Sequence, residues 1–278
     1  LRESYRLSLL FLRQVIIIST IRSSIGFTYA GEHSSSYGLI NINLESGLLE
    51  EPFMPSVKII EEKIRGRAEP YHMGVEYEPI SFTLNFAFDG GFTSDKLRAV
   101  ARWLYRDFYQ PLIFEQRADR IYYAMATEQP KLIHNGANQG YVSVTFRCNS
   151  PFSFSPVYVN NLIDFSNNTS DGTYLSFTNI GDLPIKPSFE VDIVSGNYFK
   201  IQNLSDGGKF MEFSGLLTGE SLRIDGDLRT IDSNLPLSFP YDKQSYKSDF
   251  IQLLQGVNYL RIFGNVRLKI ITQYKYIG

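Results

Sequence analysis

GFTYAGEHSSSYGLININL, residues 26–44, opens a strand-rich module that continues as EEPFMPSVKIIEEKIRGRAEPYHMGVEYEPISFTLNFAF over residues 50–88. No catalytic constellation interrupts it, so it reads as a structural part. Its clearest strand is its last: Phe82, Leu84, Phe86 and Phe88 alternate with Ser81, Thr83, Asn85 and Ala87, the period of two that buries one face of a sheet. Asp89-Gly90-Gly91 then turns the chain. Ser94 is placed to cap a helix through its side-chain oxygen, with Asp95 at the positive end of the dipole. Leu97, Val100, Ala101, Leu104, Tyr105 and Phe108 follow at three- and four-residue spacing, so a helix is expected over Ser94–Asp107, ending before Pro111.

Outward from the helix, Pro111–Glu115, Ile121–Glu128 and Tyr141–Cys148 read as strands, with His134-Asn135-Gly136 as a turn. Ser150-Pro151-Phe152-Ser153-Phe154-Ser155-Pro156 disfavours helix and ladder alike and marks a domain boundary. Beyond it, short strand-like runs are separated by turns such as Gly181-Asp182, Ser195-Gly196-Asn197, Asp206-Gly207-Gly208, Asp225-Gly226-Asp227 and Gly264-Asn265. That spacing predicts an antiparallel sandwich of the jelly-roll or galectin-like kind, with no helix. The expected organisation is an extension over residues 1–25, a domain over 26–152 and a second over 153–278, mainly β throughout.

Length and composition agree. A chain of 278 residues exceeds the usual single domain. Its 21 Phe and 18 Tyr against one Trp favour pleated, half-buried strands. Lys and Arg number 27 against 29 Asp and Glu, evenly spread over both halves, which argues against phosphate-backbone binding and sequence-specific nucleic-acid recognition. The single cysteine, Cys148, excludes an intrachain disulfide and a multi-cysteine zinc site, and its place after Val142, Val144 and Phe146 makes it a buried small residue; folding in a reducing cytoplasm fits. In residues 1–21, LSLLFL and VIIISTI follow Arg2 and Arg6 in the manner of a signal peptide. Arg13 and Gln14 break the apolar run, however, and no small-residue cleavage site follows, so neither a signal nor membrane insertion is expected.

No chemistry stands out. His33, His72 and His134 each lie in a turn-rich context with no ligand-spaced neighbour, so no metal site is expected. Glu61-Glu62 in a strand send their carboxylates to opposite faces, poor geometry for acting on one glycosidic bond. Asp225-Gly226-Asp227 lacks the downstream acidic ligands of a calcium loop. The expectation is no catalytic residue, no cofactor and no metal. Two sets of residues carry what remains. Glu50, Glu51, Pro52, Phe53, Met54 and Pro55 form an arm whose Phe53 and Met54 either meet another subunit or pack under their own domain; the loop Arg65–Gly74 is a further candidate for subunit contact. Trp103, on the flank of the helix stripe, is either a packed boundary aromatic or a subunit-contact anchor. Tyr241 and Tyr246, among several tyrosines of the second half, are candidate carbohydrate contacts, with sheet-face packing as the plainer reading.

Taken together, Gly26–Leu44, SDKLRAVARWLYRD (Ser94–Asp107) and YVSVTFRCNSPF (Tyr141–Phe152) resemble the N-terminal domain of the distal tail protein of long non-contractile-tailed bacteriophages, the siphovirus tail component family. NIGDLPIKPSFEVDI (Asn179–Ile193), GESLRIDGDLRTI (Gly219–Ile231) and FIQLLQGVNYLRIFG (Phe250–Gly264) are similar to its second domain, and the order of these segments carries the likeness. Family members usually begin near the Gly26 position, so residues 1–25 depart from the pattern. The resemblance implies a tail-tube-like first domain and a homo-hexameric ring at the virion tail tip. The tail tube protein would lie on one face, the tail-associated lysin or baseplate hub on the other, and DNA and the tape-measure protein would pass through the lumen. The second domain would project outward towards receptor-binding proteins or the cell wall, with assembly in the host cytoplasm. The rival reading is a monomeric adhesin that binds host-wall polysaccharide through the second domain.

Overall fold

The computed structural model describes residues 21–44, 51–236 and 238–278. The first half runs β1 (Phe27–Tyr29), β2 (Glu32–His33), β3 (Leu39–Ile42), β4 (Val57–Glu62), β5 (Tyr71–Tyr77), β6 (Ser81–Phe88), α1 (Ser94–Leu104), β7 (Gln110–Phe114), β8 (Tyr122–His134) and β9 (Gly140–Cys148). Seven of these strands form one antiparallel sheet in the order β2-β1-β7-β8-β9-β6-β3, while β4 pairs with β5 alone. Alternation decides the buried face: Phe82, Leu84, Phe86 and Phe88 point inward beside Val142, Val144, Phe146 and Cys148. Helix α1 lies against this face through Val100, Trp103 and Leu104.

Three details of this half differ from the sequence reading. The helix is capped by Thr93, whose hydroxyl accepts from Lys96 N–H at 3.2 Å; two adjacent hydroxyl residues offer themselves, and the extended backbone of Thr93 (φ −114°, ψ 165°) selects it over Ser94. The helix stops at Leu104, where Tyr105 turns extended, and Pro111 lies inside β7 rather than acting as the stop. Of residues 1–25, residues 1–20 lie outside the described residues, whereas Ile21 belongs to the first core and Ser24 is buried, so the folded body reaches back before Gly26.

The second half runs β10 (Ser153–Phe154), β11 (Tyr158–Val159), β12 (Ile163–Phe165), β13 (Thr173–Asn179), β14 (Ser188–Asn203), β15 (Lys209–Ser214), β16 (Ser221–Asp225), β17 (Thr230–Ser233), β18 (Gly256–Thr272) and β19 (Lys275–Tyr276). The long pair β14–β18 is its spine, and β11, β12 and β13 all pair with β18 while β15 and β16 pair with β14. The register breaks between Ile193 and Lys200, and opposite it Gly264 (φ +93°) passes so close to Tyr198 that a Cβ would lie 2.2 Å from the Tyr198 carbonyl oxygen. Each strand is thereby divided into two arms, and one core draws on both, Phe189, Val191 and Leu268 from one, Phe199, Ile201 and Ile262 from the other. Three buried asparagines finish one end: Asn258 Nδ2 donates to Leu254 O at 2.7 Å, Asn203 Nδ2 to Gln252 O at 2.6 Å and Asn179 Nδ2 to Leu253 O at 3.2 Å, tying the loop at residues 252–254 to the strands.

Glu220 is wholly buried, and its carboxylate accepts from Leu217 N–H, Ser233 Oγ and Lys243 Nζ, the last at 2.7 and 2.8 Å. Burial pushes its pKa up, but Lys243 and the other donors outweigh that and hold it below the usual carboxylate range. This pair ties the single turn of 3-10 helix at Pro240–Lys243 to the start of β16.

The halves meet across a short seam. Ile121 and Phe154 exchange backbone hydrogen bonds of 2.7 and 2.9 Å, Gln273 Nε2 donates to the Tyr123 hydroxyl at 3.0 Å, and the Arg120 guanidinium lies 3.6 Å from the centre of the Tyr276 ring. Because β10 pairs with β19, the last residues of the chain close onto the connector between the halves.

Candidate assembly surface

Strands β4 and β5 form a two-stranded ladder on which every residue of β4 is exposed and only Gly74 of β5 is partly covered. Apolar side chains stand on it in water: Ile59 is 60% exposed and Met73 66%, with Val57, Val75, Tyr71 and Tyr77 beside them. A lone two-stranded hairpin is marginal in water, and among the described residues this one pairs with no further strand. The sequence reading took Arg65–Gly74 as a loop, but its last four residues, Tyr71–Gly74, form the start of β5 and pair with β4. A strand can be read from VKIIEE and YHMGVEY, but whether anything covers it depends on partners far away in the chain.

The neighbouring arm carries its large apolar side chains in solvent. Phe53 is 88% exposed and Met54 61%, so neither packs under its own domain. Glu51 is occupied inside the chain, its carboxylate accepting from the N–H groups of Ile21 and Arg22, and Pro55 is buried. Pro52 is exposed with Phe53, and Glu50 lies outside the described residues.

Trp103 is a correction. It is 2% exposed, its indole N–H donates to Tyr29 O at 2.9 Å, and its ring stacks on Tyr37 at 4.5 Å and Phe27 at 5.6 Å. The helix turns residues 100, 103 and 104 inward, so Trp103 is a centre of the first core and has no surface left to offer another chain.

A groove lies between α1 and the sheet. In β8 the register jumps from Thr127 opposite Thr145 to Lys131 opposite Ser143, with Glu128 at φ +59° and Pro130 lacking an N–H to donate. The bulge opens a cavity of about 510 Å3 walled by Leu97, Ala101, Leu104, Tyr105 and Leu132, with Arg106 at its edge. Arg106 Nε is buried there without a hydrogen-bond partner.

Comparison with known proteins gives this geometry a context. Residues 22–150 match the family described as phage tail protein N-terminal domain. The SPbeta prophage-derived uncharacterized protein YomH of Bacillus subtilis (strain 168) is 30% identical over 257 residues, covering 92% of this chain and all of that protein. The chain belongs to this phage tail protein family. Its fold is that of the distal tail protein: the crystal structure of phage SPP1 Dit superposes with a TM-score of 0.67, covering 90% of this chain and 98% of that one, at 17% identity.

In this phage tail protein the remaining candidates are dispersed. Tyr241 is half exposed, with its hydroxyl accepting from Ile231 N–H at 3.0 Å; Tyr246 is 90% exposed, with Lys247 Nζ 5.4 Å from the centre of its ring. Among the described residues no group of three or more His, Cys, Asp or Glu converges on a metal-sized site, and no helix is long and apolar enough to cross a membrane. Burial pushes the Cys148 thiol up to about 12.

Proposed function

We propose that this phage tail protein is a non-enzymatic structural hub of the tail tip, a homo-hexameric ring that joins the tail tube to the tail-associated lysin or baseplate and lets DNA and the tape-measure protein pass. The observation that carries the proposal is the β4–β5 hairpin, whose apolar side chains stand in solvent on both sides among the described residues and which another chain would cover. The apolar groove between α1 and the bulged β8 supplies a matching surface on the far side of a head-to-tail contact. Contacts of this heterologous kind generate a ring when their rotation closes, and a ring so made has two different faces, one for each neighbour in the tail. Phe53 and Met54, just ahead of β4 in the chain, add two more exposed apolar side chains.

The net charge of −2 suits a lumen through which DNA slides without being held. The second half, joined to the first by the Ile121–Phe154 seam, projects as a carrier for receptor-binding proteins, and assembly takes place in the host cytoplasm before the tail is complete. The test is negative-stain imaging of the purified full chain, alone and mixed with its tail tube protein. Rings with six-fold symmetry and a central hole support the proposal; particles without a hole under both conditions oppose it.

A further inference from the structure

The outward face of β13, β18, β14 and β15 carries a feature that ring formation does not use. Register places Tyr174, Arg261, Gln202 and Phe210 in one row across the four strands, and Phe263, Lys200 and Glu212 in the next. The Arg261 guanidinium lies 5.2 Å from the centre of the Tyr174 ring and 5.0 Å from that of Phe263, while Lys200 Nζ lies 4.3 Å from the Phe210 ring. Arg261 has no ion pair among the described residues, and its buried Nε has no hydrogen-bond partner. The polar groups around it are engaged elsewhere. Glu212 accepts from the Tyr198 hydroxyl at 2.6 Å and stands 4.0 Å from Lys200, and Gln202 donates to Gly208 O at 2.9 Å. A guanidinium held between two rings and left without its anion is an unfinished recognition element: five donors in a planar fork fit a carboxylate.

We propose that this face binds an anionic polysaccharide bearing uronic acid residues. The C–H-rich faces of the sugar rings lie on Tyr174, 64% exposed, and on Phe263, and one carboxylate meets the Arg261 fork. Single-stranded nucleic acid also combines rings with cations, but it calls for a basic groove that tracks successive phosphates. Here Glu212 stands beside Lys200, and Arg261 is the unpaired cation of the face. The site differs from Tyr241 and Tyr246, and it does not rest on the hexamer.

Titration calorimetry of the full chain at low salt tests the proposal, using galacturonic acid oligomers, neutral glucan oligomers of equal length, polyglutamate and oligothymidylate as probes. Galacturonate oligomers are expected to bind at least ten-fold more tightly than each of the other three. That binding should fall ten-fold or more in Arg261→Gln and in Tyr174→Ala, whose side chain is largely exposed, and should be unchanged in Tyr246→Ala; circular dichroism confirms that each variant is folded. Failure of galacturonate to bind overturns the proposal. So does an equal response to neutral glucan, polyglutamate or oligothymidylate, or an undiminished affinity in folded Arg261→Gln and Tyr174→Ala.

Discussion

Two antiparallel strand pairs in this chain obey the same hydrogen-bonding rule and end in opposite situations. In β14–β18 the side chains of one face, Phe189 to Ile201 on one strand and Leu260 to Ile270 on the other, are almost entirely withdrawn from water. In β4–β5 the apolar side chains stand in solvent. The backbone ladder is comparable, so the difference lies in what covers the faces. Burying each large apolar side chain contributes about 1.5–3 kcal/mol; the C-terminal pair collects this within its own chain, and among the described residues the hairpin does not; in the proposed ring it would collect it from a neighbouring subunit. Stability and assembly are therefore assigned to different strand pairs, and variants can separate them.

The largest effect is expected in the spine. Phe199→Ala removes a ring stacked 6.3 Å from Phe213 in the second core and should cost about 3–5 kcal/mol in denaturant unfolding of the second half. Ile59→Asp on the hairpin should leave that stability within about 0.5 kcal/mol while abolishing assembly. A similar loss of stability from both would erase the distinction between the pairs.

Next comes Lys243→Met, which leaves Glu220 charged and buried without its partner and should destabilise the second half by about 3 kcal/mol at neutral pH. Because the Glu220 pKa is lowered in the folded chain, its contribution is fully present above the unfolded carboxylate range, near about pH 4.3, and is lost as pH falls through the lower folded value. Thermal unfolding followed against pH should show this acid loss in the wild type and a weaker one in Lys243→Met. An identical acid profile in both would remove Glu220 from the account.

A smaller effect separates Trp103 from Phe53. Trp103→Phe deletes the donor to Tyr29 O and should lower stability of the first half by about 1–3 kcal/mol with assembly intact. Phe53→Asp should do the reverse, blocking assembly while the monomer stays folded, and a misfolded monomer would remove Phe53 from the interface. Smallest is Cys148. With its thiol pushed up to about 12, it should resist alkylation at pH 8 at a rate set by opening of the first core, which rapid labelling of the folded chain would contradict.

The comparison also explains what was legible in the sequence. Strands whose faces are buried announce themselves by alternation: SFTLNFAF and YVSVTF fix β6 and β9, and the four turns from Gly181 to Asp227 mark the sandwich. The hairpin was half-legible, since its residues favour strands but nothing local says that no face covers them. Trp103 was misplaced because the apolar stripe was carried on to Phe108; the helix ends at Leu104, and Tyr105 and Phe108 stand in solvent. The Glu220–Lys243 pair, the asparagine cluster and the orphaned Arg261 had no local signal. The first joins β16 to a 3-10 turn, the second joins strand ends to the loop at residues 252–254, and only the last is set by strand register.

Light scattering of the eluting full chain, compared with an Ile59→Asp/Met73→Asp variant, tests most directly whether the β4–β5 hairpin is the assembly surface. The account predicts six times the 31.8 kDa chain mass for the wild type and a folded monomer of unchanged thermal stability for the variant. A variant that still elutes as a hexamer, or a wild type that remains monomeric at every concentration both alone and with its tail tube protein, would contradict it.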